Sequence, residues 1–354
     1  MAKLADKLDR EAESIAAAKL HRQHDNIVSE LRSKLAKSEA RRRLAESELE
    51  EFSIAAEFMR ELGGDGGAKH RAYRHKKPSG SATAVVCLND WHGEERVDPA
   101  TINGLNEYTL EIAEQRIAKV GENFLRLLEA QRTMSNIKDL VVWIGGDIIT
   151  GHIHEELAET SALSPTEACQ WAKGQLIGLI DYWLDYAEMA SVTVVTSYGN
   201  HGRTTAKPRI ATAAKHSFEW WMYQNIADLY AARGDKRVTF KVEQGYHNWL
   251  DIQGKLVRFH HGDWLKYNGG VGGITIPVNK SLNEWNKAKR SDWDFFGHWH
   301  QHKKDYRWAA CNCLIGYNPF ALSIKAEWSE PSQTFAVFDR DRPVPVLVQE
   351  IYCQ

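Results

Sequence analysis

Residues 84–92 read AVVCLNDWH, in which five apolar residues end directly in Asn89 and Asp90, with His92 two positions further on. Short apolar runs rich in β-branched residues are typical of strands buried on both faces. Four later segments share this arrangement, each with Asp, Asn or His after the run: LVVWIGGD at 140–147, VTVVTSYGNHG at 192–202, LVRFHHGD at 256–263 and DFFGHWH at 294–300. Helical patterns fill roughly 107–133, 165–190 and 208–233. Strands that alternate with helices predict an α/β domain with a largely buried sheet.

The segments after residue 305 are strand-like and predict a second sheet packed on the first. They read RWAACNCLIG at 307–316, QTFAVFD at 333–339 and VPVLVQEIY at 344–352. Cys311 and Cys313 are two positions apart in the first of these segments, so they are expected to share one strand face as small core residues. Five cysteines in 354 residues do not form a disulfide framework, and the odd count argues against full pairing.

The first 62 residues differ in composition from the rest of the chain. They contain neither Gly nor Pro and are rich in Ala, Leu, Glu, Lys and Arg, which favour a helix. Their apolar stripe is too thin to make a globular core, so it predicts either self-association as a coiled coil or a solvated helix lying on its own domain. Residues 63–81 are Gly-rich and then basic, which is typical of a flexible linker. The predicted organisation is therefore a helical extension at 1–62, a linker at 63–81 and the main domain at 82–354.

Charge and hydropathy exclude some classes of protein. The chain carries 45 basic and 47 acidic side chains, and a net charge of −2 gives no overall attraction to nucleic acid or to a membrane. No apolar run approaches the roughly 20 residues that a membrane-spanning helix needs. The N-terminus lacks the apolar core of a secretory signal. We therefore expect a cytoplasmic protein without a membrane partner.

The five apolar runs deliver their polar residues to a single edge of the predicted sheet. Ligands of open α/β sheets bind just beyond the carboxyl ends of the strands. Imidazole and carboxylate groups suit divalent ions such as Mn²⁺, Fe²⁺ and Zn²⁺, and an Asn oxygen adds a neutral donor. One carboxylate bridges two ions at a separation of about 3.5–4 Å in two-metal hydrolytic sites. The sequence therefore predicts a metal-dependent hydrolytic centre at this edge.

In chain order, the elements Asp-X-His, Gly-Asp, Gly-Asn-His, His-Gly and Gly-His-X-His resemble the motifs of the calcineurin-like metallophosphoesterases. The resemblance covers residues 84–302. The arrangement of these motifs is also similar to that in SbcD-type repair nucleases and in phage-encoded members of the superfamily. The resemblance implies a four-layer α/β/β/α sandwich of two mixed sheets, here preceded by the long, coiled-coil-like N-terminal helix.

The resemblance also implies a role for each motif residue. One divalent ion would be held by Asp90, His92 and His300, and a second by Asn200, His261 and His298. Asp147 would bridge the two ions, and His201 would lie beside the phosphate and protonate the leaving group. The ions are expected to be Mn²⁺, with Fe, Zn, Ni or Mg as alternatives. Hydroxide held by both ions would attack the phosphorus atom directly.

Two positions depart from the family pattern. Gly202 stands where the family's phosphatases usually have an acidic residue, and Thr150 stands where Asp is frequent. These departures leave the predicted ligands intact, but they bear on how His201 is oriented, and they argue against close kinship with the protein Ser/Thr phosphatases. His261 is preferred to His260 as the ligand because it directly precedes Gly262, as the motif requires.

The substrate is less constrained by the sequence. His152 and His154 follow the predicted bridging residue and either face substrate or belong to a polar loop that enters a helix. Arg203 begins a stretch with three cations in seven residues, and Trp264 lies near a predicted ligand, so both are candidate substrate contacts.

Three functions remain open at this point. The first is a DNA or RNA phosphodiesterase whose N-terminal helix joins copies of the chain into a homo-oligomer. The second is a phosphatase or phosphodiesterase acting on nucleotides or other small phosphoesters. The third is a scaffold with a degenerate site that acts through the helix.

Overall fold

The computed structural model describes the backbone of residues 2–62, 80–266 and 273–354, with side chains from residue 14 to residue 59 in the first range. The chain divides into two compact units, residues 1–75 and 76–354. In chain order the elements are α1 (Ala2–Leu62), β1 (Ser81–Leu88), α2 (Leu110–Arg132), β2 (Asn136–Ile144), α3 (Glu155–Thr160), α4 (Pro165–Tyr186), β3 (Ser191–Thr196), α5 (Phe218–Arg233), β4 (Val238–Lys241), β5 (Asn248–Ile252), β6 (Lys255–His260), α6 (Thr275–Ala288), β7 (Trp293–Phe296), β8 (Lys303–Asp305), β9 (Trp308–Ala310), α7 (Pro319–Ser323), β10 (Ser332–Asp339) and β11 (Leu347–Tyr352).

Helix α1 occupies the first unit and confirms the predicted N-terminal helix. It runs for 61 residues without interruption. Between residues 14 and 59 most of its large apolar side chains are exposed, among them Leu35 at 60% and Leu49 at 70% of full exposure. The predicted linker at 63–81 lies outside the described residues, except for Gly80 and for Ser81, which begins β1.

The first sheet of the main domain has six strands in the order β11-β10-β1-β2-β3-β4. Strands β1 to β4 run parallel, β10 pairs antiparallel with β1, and β11 pairs antiparallel with β10. The second sheet has five strands in the order β5-β6-β7-β9-β8, with parallel pairs at its centre and antiparallel pairs at both edges. Both sheets are therefore mixed.

The prediction that the strands after residue 305 form the second sheet is wrong for β10 and β11. Both belong to the first sheet, where Val85 of β1 pairs with Ala336 of β10. An apolar run shows that a segment is a strand but does not show which strand it pairs with. The second sheet is built mainly from β5 to β9, and its edge strand β5 falls in a segment with no long apolar run.

Side chains alternate between the two faces of each strand and create the layers. On β1, Ala84, Val86 and Leu88 join the apolar cluster formed with α2, α4 and α5, whereas Val85 and Cys87 join the cluster between the sheets. The other face of the second sheet is covered by α6, whose Val278 and Leu282 pack with Phe296 and Trp308. The order of layers is helices, sheet, sheet and helix, which confirms the four-layer α/β/β/α architecture.

All five cysteines are buried and free. Cys311 lies in the cluster between the sheets, whereas Cys313 lies in a separate cluster with Val97 and Tyr108. The two do not share a strand face as expected, because β9 already ends at Ala310. In the part of the chain that the structure describes, no helix has both the length and the apolar character needed to cross a bilayer.

Candidate metal centre

Five loops, which follow β1, β2, β3, β6 and β7, meet at one edge of the paired sheets. Hydrogen bonds join them directly. The amide of His92 donates to the carbonyl of Asp147 over 3.0 Å, and the amide of Gly297 donates to the carbonyl of His261 over 2.8 Å. The amide of His298 donates to Asp90 Oδ2 over 2.8 Å. Residues far apart in the sequence are thus held in one constellation.

The structure brings together all eight residues that the motifs predicted for the centre. Their donor atoms form three overlapping groups, each with all members within 4.8 Å of one another: Asp90, His92 and His300; His92, Asp147 and His201; Asp147, His261 and His298. Asn200 completes the set, because its Oδ1 lies 3.2 Å from His261 Nε2. His260 is outside these groups, with its ring stacked on Phe296 at 5.4 Å between centroids.

The backbone at the centre adopts an unusual conformation. Asp90, His92, Asp147, His298 and His300 all have positive φ angles, between 46° and 69°. This left-handed region is costly for residues with a side chain, although Asp and His tolerate it better than most. Such strain persists only where surrounding contacts enforce it, and it clusters at functional sites.

Each of two histidines uses one ring nitrogen for support and leaves the other facing the centre. His261 Nδ1 lies 2.8 Å from the carbonyl of Gly145, and His92 Nδ1 lies 3.1 Å from Thr150 Oγ1. Both contacts place a proton on Nδ1, so that Nε2 carries the lone pair whenever the ring is neutral. Among the described residues the buried His92 Nε2 has no hydrogen-bond partner. A divalent cation would satisfy it, so the residues present fit the metal that the motifs imply.

The charges at the centre also suit a cation. Burial raises the pKa of the Asp147 carboxyl, but the charges of His261 and His201 outweigh it and hold that pKa well below its usual range. Burial, reinforced by the charge of His261, lowers the pKa of His298 to about 3. Burial, followed by the charges of His201 and His300, lowers the pKa of His92 well below its usual value. An ionised carboxylate beside neutral imidazoles is a set of ligands that divalent metals bind.

His261 balances the buried charge when no cation is bound. Its Nε2 lies 2.9 Å from Asp147 Oδ2. Burial lowers the pKa of His261, but Asp147 outweighs burial and raises that pKa to about 10. Because metal binding displaces protons from the ligands, a cation would take the place of this imidazole proton.

A comparison with protein families identifies the fold that carries this centre. The family model described as calcineurin-like phosphoesterase matches residues 83–324. The chain belongs to this family. No curated protein matches the sequence.

Several solved structures are similar to this chain at low sequence identity. Vps29 of Entamoeba histolytica, crystallised in complex with Zn²⁺, is 10% identical, covers 76% of this chain and 99% of its own, and has a TM-score of 0.31. A predicted phosphoesterase of Streptococcus pneumoniae is 12% identical, covers 76% of this chain and 97% of its own, and has a TM-score of 0.30. A hypothetical protein of Pyrococcus horikoshii is 10% identical, covers 77% of this chain and 89% of its own, and has a TM-score of 0.37.

The structure fixes the position of His201, which the motif resemblance predicts to lie beside the phosphate. Its amide donates to Asp147 Oδ1 over 2.8 Å, and its Nδ1 lies 3.0 Å from the carbonyl of Thr150. Its ring meets the ring of His92 edge-on, with 4.7 Å between centroids. The ring is therefore fixed through Nδ1, which leaves Nε2 for a substrate oxygen.

Thr150 supports the centre at the position where the family often has Asp. Its Oγ1 links His92 Nδ1 to Glu95, because the hydroxyl also donates to Glu95 Oε2 over 3.2 Å. The neighbouring Glu94 Oε1 accepts the amides of Thr150 and Gly151 at 2.8 Å each. Burial raises the pKa of Glu94 to about 7. Two glutamates directly after the first motif thus take over the support of this loop.

Glu219, the second residue of α5, is a supporting residue that the sequence motifs did not reveal. It is fully buried, and its two oxygens accept the amides of Ile148 at 2.6 Å and of Gly199 at 2.7 Å. One carboxylate therefore joins the loop of Asp147 to the loop of Asn200. A Cβ on Gly202 would lie 2.6 Å from Glu219 Cγ, so only glycine at 202 admits this side chain. The carboxylate of Glu219, at the start of α5, therefore lies beside the position where the family's phosphatases usually have an acidic residue.

The predicted substrate contacts occupy different environments. His152 and His154 are both exposed, and His154 directly precedes α3. The guanidinium of Arg203 donates to its own loop, to the carbonyls of Asn200 at 2.7 Å and of Thr205 at 3.0 Å. Arg203 and Trp264 both line a shallow cleft that extends from Asn200.

We expect Glu219→Gln to weaken metal binding. The NH2 of glutamine cannot accept a hydrogen bond, so the N–H of either Ile148 or Gly199 loses its buried acceptor. Loss of such outer support typically lowers metal affinity by about 10- to 100-fold. Calorimetric titration of the metal-free protein with Mn²⁺ measures this change. Asp228→Asn, at an exposed position on the same helix, is the matched control. Equal Mn²⁺ affinity in Glu219→Gln and the wild type would contradict the role given to Glu219.

Proposed function

We propose that this chain hydrolyses phosphodiester bonds in DNA or RNA with the help of two divalent ions, Mn²⁺ before Fe, Zn, Ni or Mg. The observation that carries the proposal is the overlap of the donor groups. His92 belongs to one group with Asp90 and His300 and to another with Asp147, which itself belongs to the group of His261 and His298. The donors are too many for one ion and are linked through a shared carboxylate.

The ligand assignment follows from these groups. Asp90, His92 and His300 would hold one ion, and Asn200, His261 and His298 the other, with Asp147 between them. Two ions held there would supply Lewis-acid activation of water and would offset negative charge on the phosphoryl oxygens. The remaining work falls to side chains. His201, fixed through Nδ1, delivers a proton from Nε2 to the leaving oxygen.

The cleft beside the centre supports nucleic acid as the substrate class. Its lining includes Arg203 and Arg209 as well as one acidic residue, Asp263, and it begins at Asn200. Arg209 and the nearby Lys207 are exposed, so their charges are available to phosphates other than the one being cleaved. A small phosphoester would fill only the metal centre, whereas a polynucleotide would also use this cationic rim. The complete donor set argues against a degenerate scaffold.

A substrate panel tests the proposed reaction. With Mn²⁺, the full chain is expected to hydrolyse bis-p-nitrophenyl phosphate faster than p-nitrophenyl phosphate and to cleave end-labelled oligonucleotides. Preference for the monoester, together with intact oligonucleotides, would instead establish a phosphatase of small substrates. Absence of hydrolysis with every divalent metal would favour the scaffold.

Two substitutions separate metal binding from proton transfer. His201→Ala is expected to retain bound Mn²⁺ but to lower kcat by about 10²- to 10⁴-fold, because general acid catalysis typically contributes that much. Asp147→Ala is expected to lose metal occupancy, because it removes the shared carboxylate. Metal content by plasma emission spectroscopy and kcat on bis-p-nitrophenyl phosphate measure the two effects. Full activity in both variants would disprove the assignment.

We also propose that α1 joins two copies of the chain in a parallel coiled coil. Its side chains form a heptad stripe on one face: Val28, Leu31, Leu35, Ser38, Arg42, Ala45, Leu49, Phe52, Ala56 and Met59. In a parallel pair, the flanking positions would place Lys34 opposite Glu39 and Arg41 opposite Glu46 of the second copy. An antiparallel pair would lose both attractions. The exposed stripe and these complementary charges favour a second copy as the partner.

Charged substitutions on and beside the stripe test this pairing. Leu35→Glu combined with Leu49→Glu is expected to convert a dimer of the full chain into a monomer, because charges would enter the seam. Leu44→Glu changes an equally exposed leucine outside the stripe and is expected to leave the dimer intact. Light scattering coupled to gel filtration gives the masses. A monomeric wild-type chain would refute the pairing.

A further inference from the structure

An aromatic stack forms one wall of the cleft beside the metal centre. The rings of Trp264 and Tyr246 lie parallel, with 4.0 Å between centroids and 7° between planes. Trp264 is the third residue after His261, so it belongs to the loop that carries a proposed ligand. The stack therefore has a fixed relation to the centre.

Hydrogen bonds hold the stack to that loop. The amides of Gly262 and Trp264 both donate to the Tyr246 hydroxyl oxygen over 3.1 Å. The Tyr246 ring backs one face of the indole, so Trp264 does not depend on a flexible rotamer for its position. A ring fixed in this way loses little conformational entropy when another flat group binds to it.

The position of Trp264 differs from that of a core tryptophan. Trp264 is 39% exposed, whereas Trp91, Trp143, Trp183, Trp293 and Trp308 are buried almost completely. Because Tyr246 covers one face of the indole, the exposure belongs to the remainder of the ring. Arg203 and Arg209 also line the cleft, together with the carboxylate of Asp263, so two guanidinium groups and an aromatic face occur together.

We propose that Trp264 stacks on an unpaired nucleobase next to the scissile phosphate, so that the preferred substrate is single-stranded nucleic acid. This inference rests on the proposed function. A base inside a duplex has neighbours on both faces and cannot lie on a fixed indole, whereas an unpaired base can. Stacking of this kind tolerates any base, so the cleft selects strand state and not sequence. The cations of the cleft rim would bind the flanking phosphates.

Binding without metal tests the stack separately from the chemistry. In EDTA, fluorescence anisotropy gives the affinity of the full chain for labelled single-stranded DNA, single-stranded RNA and the matching duplex. Trp264→Ala is expected to lower single-strand affinity by about 5- to 150-fold, the range that loss of one base stack produces. Duplex affinity is expected to fall less. Equal loss on both forms, or no loss, would overturn the proposal.

Conservative variants distinguish stacking from support of the loop. Trp264→Phe keeps an aromatic face and is expected to restore most of the single-strand affinity, whereas Trp264→Leu keeps apolar volume and is expected not to. Equal affinities in these two variants would overturn the proposal. Trp221→Ala removes an exposed tryptophan of α5 outside the cleft and serves as the control.

Turnover with Mn²⁺ then separates this inference from the proposed function. Trp264→Ala is expected to lower the ratio of kcat/KM on single-stranded DNA to kcat/KM on bis-p-nitrophenyl phosphate. An unchanged ratio in an active enzyme would contradict base stacking on Trp264 but would be consistent with phosphodiester hydrolysis. If the wild type hydrolyses neither substrate, the proposed function fails, and the metal-free affinities still decide whether Trp264 binds a base.

Discussion

The centre depends on a backbone constraint at the ends of the strands. The left-handed region is adopted by five residues within four positions of a strand end: Asp90, His92, Asp147, His298 and His300. The turn lets two residues of one short segment, such as Asp90 and His92, direct their side chains to the same place. Hydrogen bonds between the loops keep the turns in place, including the bond from the His298 amide to Asp90. Distortion in one loop would therefore reach its neighbours.

Buried carboxylates stabilise this conformation from outside. Glu94 accepts two amides of the Thr150 loop, and Glu219 bridges that loop to the loop of Asn200. Buried charges are unfavourable unless they are paired or hydrogen-bonded. Backbone amides serve this purpose here, because each of them would otherwise be a buried donor without a partner. The acids and the strained loops are therefore mutually dependent, and neither is expected to persist without the other.

The sequence was sufficient to predict that the motif residues meet, because each follows an apolar run and parallel strands bring their carboxyl ends to one edge. It could not reveal Glu219, because the contact of that residue with Gly199 depends on how α5 packs and leaves no local pattern. The lack of an acidic residue at position 202 indicated a departure from the family pattern, but no nearby residue pointed to Glu219 as its replacement. Strands β10 and β11 were recognisable as strands, yet their sheet was not, since pairing with β1 depends on the path of the chain. The short strand β4 was not predicted, because Val238–Lys241 has too few apolar residues to stand out.

The antiparallel position of β10 beside β1 has a consequence for synthesis. The strand at 81–88 lies between a partner that follows about 50 residues later, at 136–144, and one that follows only at 332–339. During translation, the amide and carbonyl groups on one side of β1 stay unpaired until β10 has been synthesised, near the end of the domain. Such open edges attract foreign strands. The slow step in the folding of this chain is therefore expected to be the closure of this gap, which comes only after all five loops of the metal centre have been made.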